Sequence, residues 1–372
     1  MPNRRLQALA LVAAIAAVLL VPSPAHATQA VTAHDGRLWR GSDGFHVYGY
    51  NYGPQSWRWL CGCIPAVRGS APPSFRYFDN PTSRGLRLIS KDFARERRYG
   101  ANTIRIYVEL GHVMRTPTRP RVRTLRALAA LLRVAERRRV LLDITGNLVW
   151  RPERAPGGYN RLSDRARWAV QARFWRYVAR VGARSPAVLA YELTSEPVII
   201  RGGDLYQGVL GGYWFAANIA RDVAPLKANS AARSWIRHLR QAIRSVDPRR
   251  LIGLGMLPWV GDWPFGPRNV APLLDVLFVH FYAADDQVRK ELSVVRKFAA
   301  SGKPVVLGET YPYAGSLKTQ QKFLVESSPY VRGQLSFFLH GEPIDGVASD
   351  PPNAHYRAAL RQFVGLKDTL AH

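Results

Sequence analysis

Cysteine is nearly absent from this chain. Two in 372 residues are too few for a disulfide framework or a four-cysteine zinc site. Acidic residues are also short, 26 Asp and Glu against 53 Lys and Arg, for a net charge of +27. Lysine supplies only 8 of those cations, so the excess is arginine. Such a charge attracts anionic surfaces: nucleic acid, phospholipid or acidic wall polymer. No Gly-x-Ser-x-Gly elbow and no phosphate-binding loop occurs, and no nucleic-acid motif backs the charge. Beyond the N-terminal leader no apolar run is long enough to span a bilayer. What remains is 47% hydrophobic and 21% charged, which argues for a sizeable core and against general disorder.

The leader names the compartment. Arg4 and Arg5 precede an apolar run from Ala8 to Val21, and Ala25-His26-Ala27 offers small residues at the cleavage positions. The run is short for a membrane span of about 20 residues, and the layout is that of a cleaved secretory signal. A retained anchor is the alternative. The residue directly after Ala27 is Thr28 and not cysteine, so a lipoprotein anchor is not expected. Residues 1–27 thus read as a signal peptide and 28–372 as one domain. An exported, basic protein meets cell-envelope polymers before it meets nucleic acid, so charge-driven association with anionic envelope polymers is the expected partner class.

Short apolar runs alternate with longer amphipathic ones. Expected strands are Phe45–Tyr50, Thr103–Val108, Val140–Thr145, Val188–Glu192, Leu251–Met256, Val276–Phe281, Pro304–Gly308 and Gly333–Phe338. Their apolar character suits strands covered on both faces. Between them lie helical stripes: Val170, Phe174, Val178 and Val181 after the cap Ser163; Trp235, Leu239, Ile243 and Val246 before Asp247-Pro248; and Val288, Leu292, Val295 and Phe298 before Gly302. Eight such units predict an α/β fold of the (β/α)₈ TIM-barrel type. A doubly wound sheet is the alternative, but no Gly-rich dinucleotide loop follows the first strand. Trp39–Tyr50, turning at Gly41-Ser42-Asp43-Gly44, reads as an N-terminal hairpin. Pro197–Asn229 is a long loop whose glycines and aromatics suit a wall or lid over a cleft.

Barrel chemistry gathers at the C-terminal ends of the strands. Arg105 lies in the second strand with Glu109 at its end, and Asp143 and Asn147 flank the end of the third. Ser195-Glu196-Pro197 follows the fourth, His280 and Tyr282 end the sixth, and Glu309 ends the seventh. Two carboxylates at a barrel mouth, about 5–5.5 Å apart, can cleave a glycosidic bond with retention. One must donate a proton while the other attacks ionised, so their environments must differ.

Four motifs carry a resemblance. Tyr191-Glu192-Leu193-Thr194-Ser195-Glu196-Pro197 resembles the Asn-Glu-Pro acid/base motif of clan A glycoside hydrolases, most of all the cellulase-like family five. Leu274–Tyr282 is similar to that family's sixth strand with its His-x-Tyr, and Gly302–Glu309 to its nucleophile strand. Gly100–Arg105 is similar to the second strand with its active-site Arg, and the stretch before the fifth strand is similar too. The resemblance implies that Glu196 is acid/base and Glu309 nucleophile. It implies that Tyr282 hydrogen-bonds the nucleophile, that Arg105 adds positive charge beside it, and that His280 lines the site. It implies a secreted, retaining hydrolase of a β-linked poly- or oligosaccharide that needs no cofactor and no metal.

The chain departs from the pattern in three places. Ser195 stands where the family has Asn, the third strand runs Asp143-Ile144-Thr145-Gly146-Asn147 without the frequent His, and the eighth ends Phe337-Phe338-Leu339-His340 without the usual Trp. Two rival readings follow: a catalytically weak glycan-binding barrel held to the envelope by charge, and a wall-remodelling transglycosylase. Tryptophans 57, 59, 150, 214, 259 and 263 fall on expected loops. Trp150, Trp214 and Trp259, with Asn147 and Phe338, are the sugar-contact candidates. Cys61-Gly62-Cys63 suits a local disulfide in an oxidising compartment. Arg115–Arg139 reads as a solvated outer helix, with a specific anion site as the alternative.

Overall fold

The apolar runs become a closed ring of eight parallel strands. The computed structural model describes residues 29–52, 77–78, 80–147, 154–205, 218–258, 263–339 and 351–370. The leader, Cys61, Cys63, Trp57, Trp59, Trp150, Trp214 and Trp259 lie outside these residues.

Three short antiparallel strands, β1 (Val31–His34), β2 (Arg37–Arg40) and β3 (Asp43–Gly44), precede the barrel. The barrel strands are β4 (Val47–Tyr52), β5 (Thr103–Glu109), β6 (Leu141–Asn147), β7 (Val188–Glu192), β8 (Leu251–Met256), β9 (Val276–Phe281), β10 (Val305–Thr310) and β11 (Gly333–Leu339). They pair in sequence order, and β11 pairs with β4 to close the ring. The expected first strand is displaced by two residues. Phe45 donates its N–H to Leu38 of the small sheet, whereas Val47 bonds Arg332 at the start of β11. The N-terminal feature is also larger than one hairpin. Asp35-Gly36, both at positive φ, turns β1 into β2 with the residue pair favoured for a two-residue hairpin.

Period-two alternation sorts each strand. On β5, Ile104, Ile106 and Val108 join the apolar layer beneath the helices, while Arg105 and Tyr107 turn inward to Glu309. Around the ring lie α1 (Ser83–Arg98), α2 (Val122–Arg138), α3 (Asp164–Gly182), α4 (Ala228–Arg244), α5 (Val288–Ala299), α6 (Leu317–Ser327) and α7 (Pro351–Gly365). Ser163 caps α3 by accepting from the Ala166 N–H. Trp175, Trp235 and Phe298 are fully buried on their inner faces. On α2, Leu128, Leu132 and Val134 are buried while Arg126, Arg133 and Arg137 are exposed, so the body of this basic helix is a solvated outer helix.

One end of the barrel is plugged. Val31 and Leu38 of the small sheet pack against Val47, Leu189, Leu251, Val276, Val306 and Leu335, which lie toward the N-terminal ends of their strands. The N-terminal sheet therefore closes the floor and leaves the opposite mouth for chemistry. The stems of the long loop after β7 are tied together. Val198 bridges Asn218, and the Asn218 amide bonds the backbone of Ile200 and Asp204.

Candidate active site

Arg105, fully buried on β5, organises the barrel interior. Its guanidinium grips Glu192 of β7 in a two-pronged bond, Nε to Oε2 at 2.9 Å and Nη2 to Oε1 at 2.5 Å. The remaining nitrogen, Nη1, donates to Glu309 of β10, to Asn51 of β4 at 2.7 Å and to the Tyr107 hydroxyl at 2.6 Å. Asn51 in turn donates to the Gly308 carbonyl at 2.9 Å. One arginine so spans two carboxylates from opposite sides of the ring, and two-pronged pairing fixes its plane.

Glu309 receives a second set of contacts. Tyr282 donates its hydroxyl to Oε2, Tyr107 donates to Oε1 at 3.1 Å, and His280 Nδ1 lies 3.6 Å from Oε2. Burial pushes this carboxyl's pKa up, but His280, Arg105 and the Tyr282 hydrogen bond together outweigh burial and hold it below the usual range. Glu309 is thus kept ionised.

Glu196 sits differently. It follows β7 at φ 46°, a left-handed conformation that non-glycine residues rarely adopt and that costs about 1–3 kcal/mol. Its N–H is held by the Gly255 carbonyl at 2.9 Å, and the Gly255 N–H by Thr194 at 3.0 Å, so the turn is clamped onto β8. The strain turns the carboxyl toward the mouth, where its side chain keeps 19% exposure against 5% for Glu309. Its Oε1 meets His280 Nδ1 at 2.7 Å. One ligand atom from each of Glu196, His280 and Glu309 lies within 4.8 Å of the others. Carboxylate oxygens this close are near the separation of about 5–5.5 Å of a carboxylate pair that works by two displacements.

His280 is buried between the two carboxylates. Burial favours its neutral form, yet Glu309 and Glu196 prevail and raise its pKa, so the imidazolium is favoured. Its charge is the largest of the influences that lower Glu309. Replacing it by Gln should therefore move the acid limb of kcat/KM to higher pH, as Glu309 takes up its proton earlier. A pH–rate profile with an unmoved acid limb would show that His280 does not hold Glu309 ionised.

The six expected site residues Arg105, Ser195, Glu196, His280, Tyr282 and Glu309 converge here. Ser195 is buried, and its hydroxyl has no hydrogen-bond partner among the described residues. Asn147 ends β6 opposite Glu109 in register, but its side chain, like that of Phe338, lies outside the described residues. β11 brings Phe337 to the site, edge-on to Tyr282 at 5.8 Å. Trp263 is partly buried against the hydrophobic core. Asp143 lies 3.9 Å from Arg105, and burial, with the nearby Glu192 charge, pushes its carboxyl well up.

Glu192, Tyr107 and Asn51 were not singled out by sequence. Only barrel register reveals that Glu192 and Glu309 face the same guanidinium. Gly255 is one clue to this packing, since a Cβ there would stand 2.4 Å from Glu192 Oε1.

No protein-family model and no curated sequence matches this chain. Solved structures do match its fold. A β-mannanase from the blue mussel Mytilus edulis superposes with a TM-score of 0.60 at 15% identity, covering 92% of this chain and 97% of that one. A β-1,4-D-mannanase from Cryptopygus antarcticus gives 0.61 at 15% identity, covering 91% and 95%. A GH5_18 protein from Streptomyces cattleya, in complex with GlcNAc, gives 0.61 at 17% identity, covering 88% and 80%.

Proposed function

We propose that this protein is a retaining glycoside hydrolase of a β-linked glycan, with Glu309 as nucleophile and Glu196 as acid/base. The observation that carries the reading is one pair of carboxylates at the barrel mouth in unequal settings. Glu309 is buried and held ionised by Arg105, Tyr282 and His280, while Glu196 reaches solvent.

In the first step a Glu309 oxygen attacks the anomeric carbon as the bond to the leaving oxygen breaks. Glu196 gives its proton to that oxygen, and the sugar is left as an ester of Glu309. In the second step Glu196 takes a proton from water, the hydroxyl adds to the anomeric carbon, and Glu309 leaves as carboxylate. His280, cationic beside both, stabilises Glu196 when it has lost its proton. The two mannanase neighbours make β-1,4-mannan the first substrate to try.

The test is a panel of nitrophenyl β-glycosides together with β-1,4-mannan and β-1,4-glucan. At least one is expected to be cleaved by the wild type and left uncut by Glu309→Ala. Turnover that survives in Glu309→Ala would place the chemistry elsewhere. On this reading the enzyme works outside the cell, and the exported protein should begin at Thr28, which mass measurement of its N-terminus checks.

A further inference from the structure

A cavity of about 590 Å³ at the C-terminal end of β5 is lined by Arg115, Arg121, Arg123 and Arg154, with Glu109 the acidic member among the described lining residues. Its position follows from the strand that supports the nucleophile. Arg105, Tyr107 and Glu109 are alternate residues of β5. Tyr107 donates to Glu309, and Glu109 lies two residues farther toward the mouth, about 7 Å along the strand. The cavity therefore opens on the same face of the barrel as Glu309.

Among the described residues that line it, the cavity has more positive than negative charge. Glu109 is buried, with Arg154 at 3.6 Å and His112 at 3.7 Å. Arg121 donates through Nε to the Gly111 carbonyl at 3.2 Å, and Arg123 through Nη2 to the Asn80 side-chain oxygen at 3.0 Å. Both are neutral acceptors that hold the side chains without cancelling their charge, and each guanidinium carries five N–H groups. Arg115 completes the rim. The start of α2 adds to the same sign: Val122, Arg123 and Thr124 line the cavity, and the helix's first turn carries no acidic residue.

We infer that this cavity is a subsite for an anionic group on the glycan, either a carboxylate or a sulfate or phosphate ester, so that the substrate is an acidic polysaccharide. Forked guanidinium donors match planar carboxylates and tetrahedral oxyanions alike. A neutral sugar would desolvate these charges and offer nothing of opposite sign. The inference rests on the glycosidase reading for its substrate, but anion binding can be measured without turnover.

The experiment is calorimetry at low salt with three ligands on one backbone: β-1,4-mannohexaose, its C6-oxidised uronate form and its 6-sulfate. Arg121→Ser with Arg123→Ser removes two exposed charges, and serine at the cap position of α2 favours the helix. Arg137→Ser with Arg180→Ser, at the far ends of α2 and α3, removes the same charge elsewhere. The wild type should bind one or both anionic ligands at least tenfold more tightly than the neutral one. The cavity variant should lose that preference and the distal variant should keep it. Preference for the uronate identifies a carboxylate, and preference for the sulfate an ester. Equal binding of all three ligands, or equal loss in both variants, overturns the subsite. Cleavage of a neutral glycan without anion preference would reject the subsite alone, and anion preference without cleavage of any glycan would reject the hydrolase alone.

Discussion

Glu196→Ala and Glu309→Ala are expected to fail in different ways on the same glycoside. Removing Glu309 removes the group that forms the covalent bond, so turnover should fall to background whatever the leaving group. Removing Glu196 removes proton donation and water activation, effects worth about 10²–10⁴ in rate for a poor leaving group. A dinitrophenyl glycoside needs no proton, so Glu196→Ala should still form the Glu309 ester and accumulate it, visible as a burst and as added mass on the protein. Azide requires no general base and should release that ester as a β-glycosyl azide. In Glu309→Ala azide can attack only the substrate itself, giving the α product. The geometry supports this division, since Arg105 and Tyr282 both donate to Glu309 and neither bonds Glu196. An ester accumulating in Glu309→Ala, or none in Glu196→Ala, would exchange or remove the two roles.

The second large effect is on stability. Arg105→Met is expected to destabilise the barrel by about 3–5 kcal/mol at neutral pH, the cost of leaving buried charge without its partner. Glu192 and Glu309 both lie against this guanidinium, and Asp143 stands 3.9 Å away. The pH dependence should also change. In the wild type the folded pKa of Glu309 is depressed, so its contribution is present above the unfolded pKa and is lost as pH falls through the folded one. Without Arg105, burial acts on Glu309 with less opposition, so its folded pKa lies higher than in the wild type. The folded variant then takes up this proton at a higher pH than the wild type does, and the part of the stability gap that comes from Glu309 closes as pH falls from neutral through the carboxylate range. Urea titrations at neutral and mildly acid pH would show the gap to wild type narrowing. A gap that is constant with pH would mean that lost packing, not lost charge, is the cause. Arg105→Lys should recover little, because a single ammonium cannot span Glu192 and Glu309 together.

Much of this barrel can be read from the chain. Val188–Glu192, Leu251–Met256 and Val276–Phe281 are strands with the bounds expected from their apolar runs. Glu196, His280, Tyr282 and Glu309 are legible because they stand at strand ends, where a barrel collects its chemistry. The interior polar layer was hidden for a physical reason. Asn51 and Tyr107 sit inside strands and Glu192 is the last residue of β7, and at all three a polar residue signals nothing until register shows what it faces. The first strand was misplaced because Phe45 and Val47 are equally apolar, and only pairing with Leu38 and Arg332 divides the small sheet from the barrel. Phe337, next to the expected Phe338, packs on Tyr282.

The most direct test of the central claim is proton NMR of the anomeric signal while a β-glycoside is cleaved. Two displacements at one carbon, by Glu309 and then by water, predict that the β-anomer of the released sugar appears first and that the α-anomer grows in only by mutarotation. If the α-anomer appears first, a single displacement has occurred, and Glu309 is not a nucleophile.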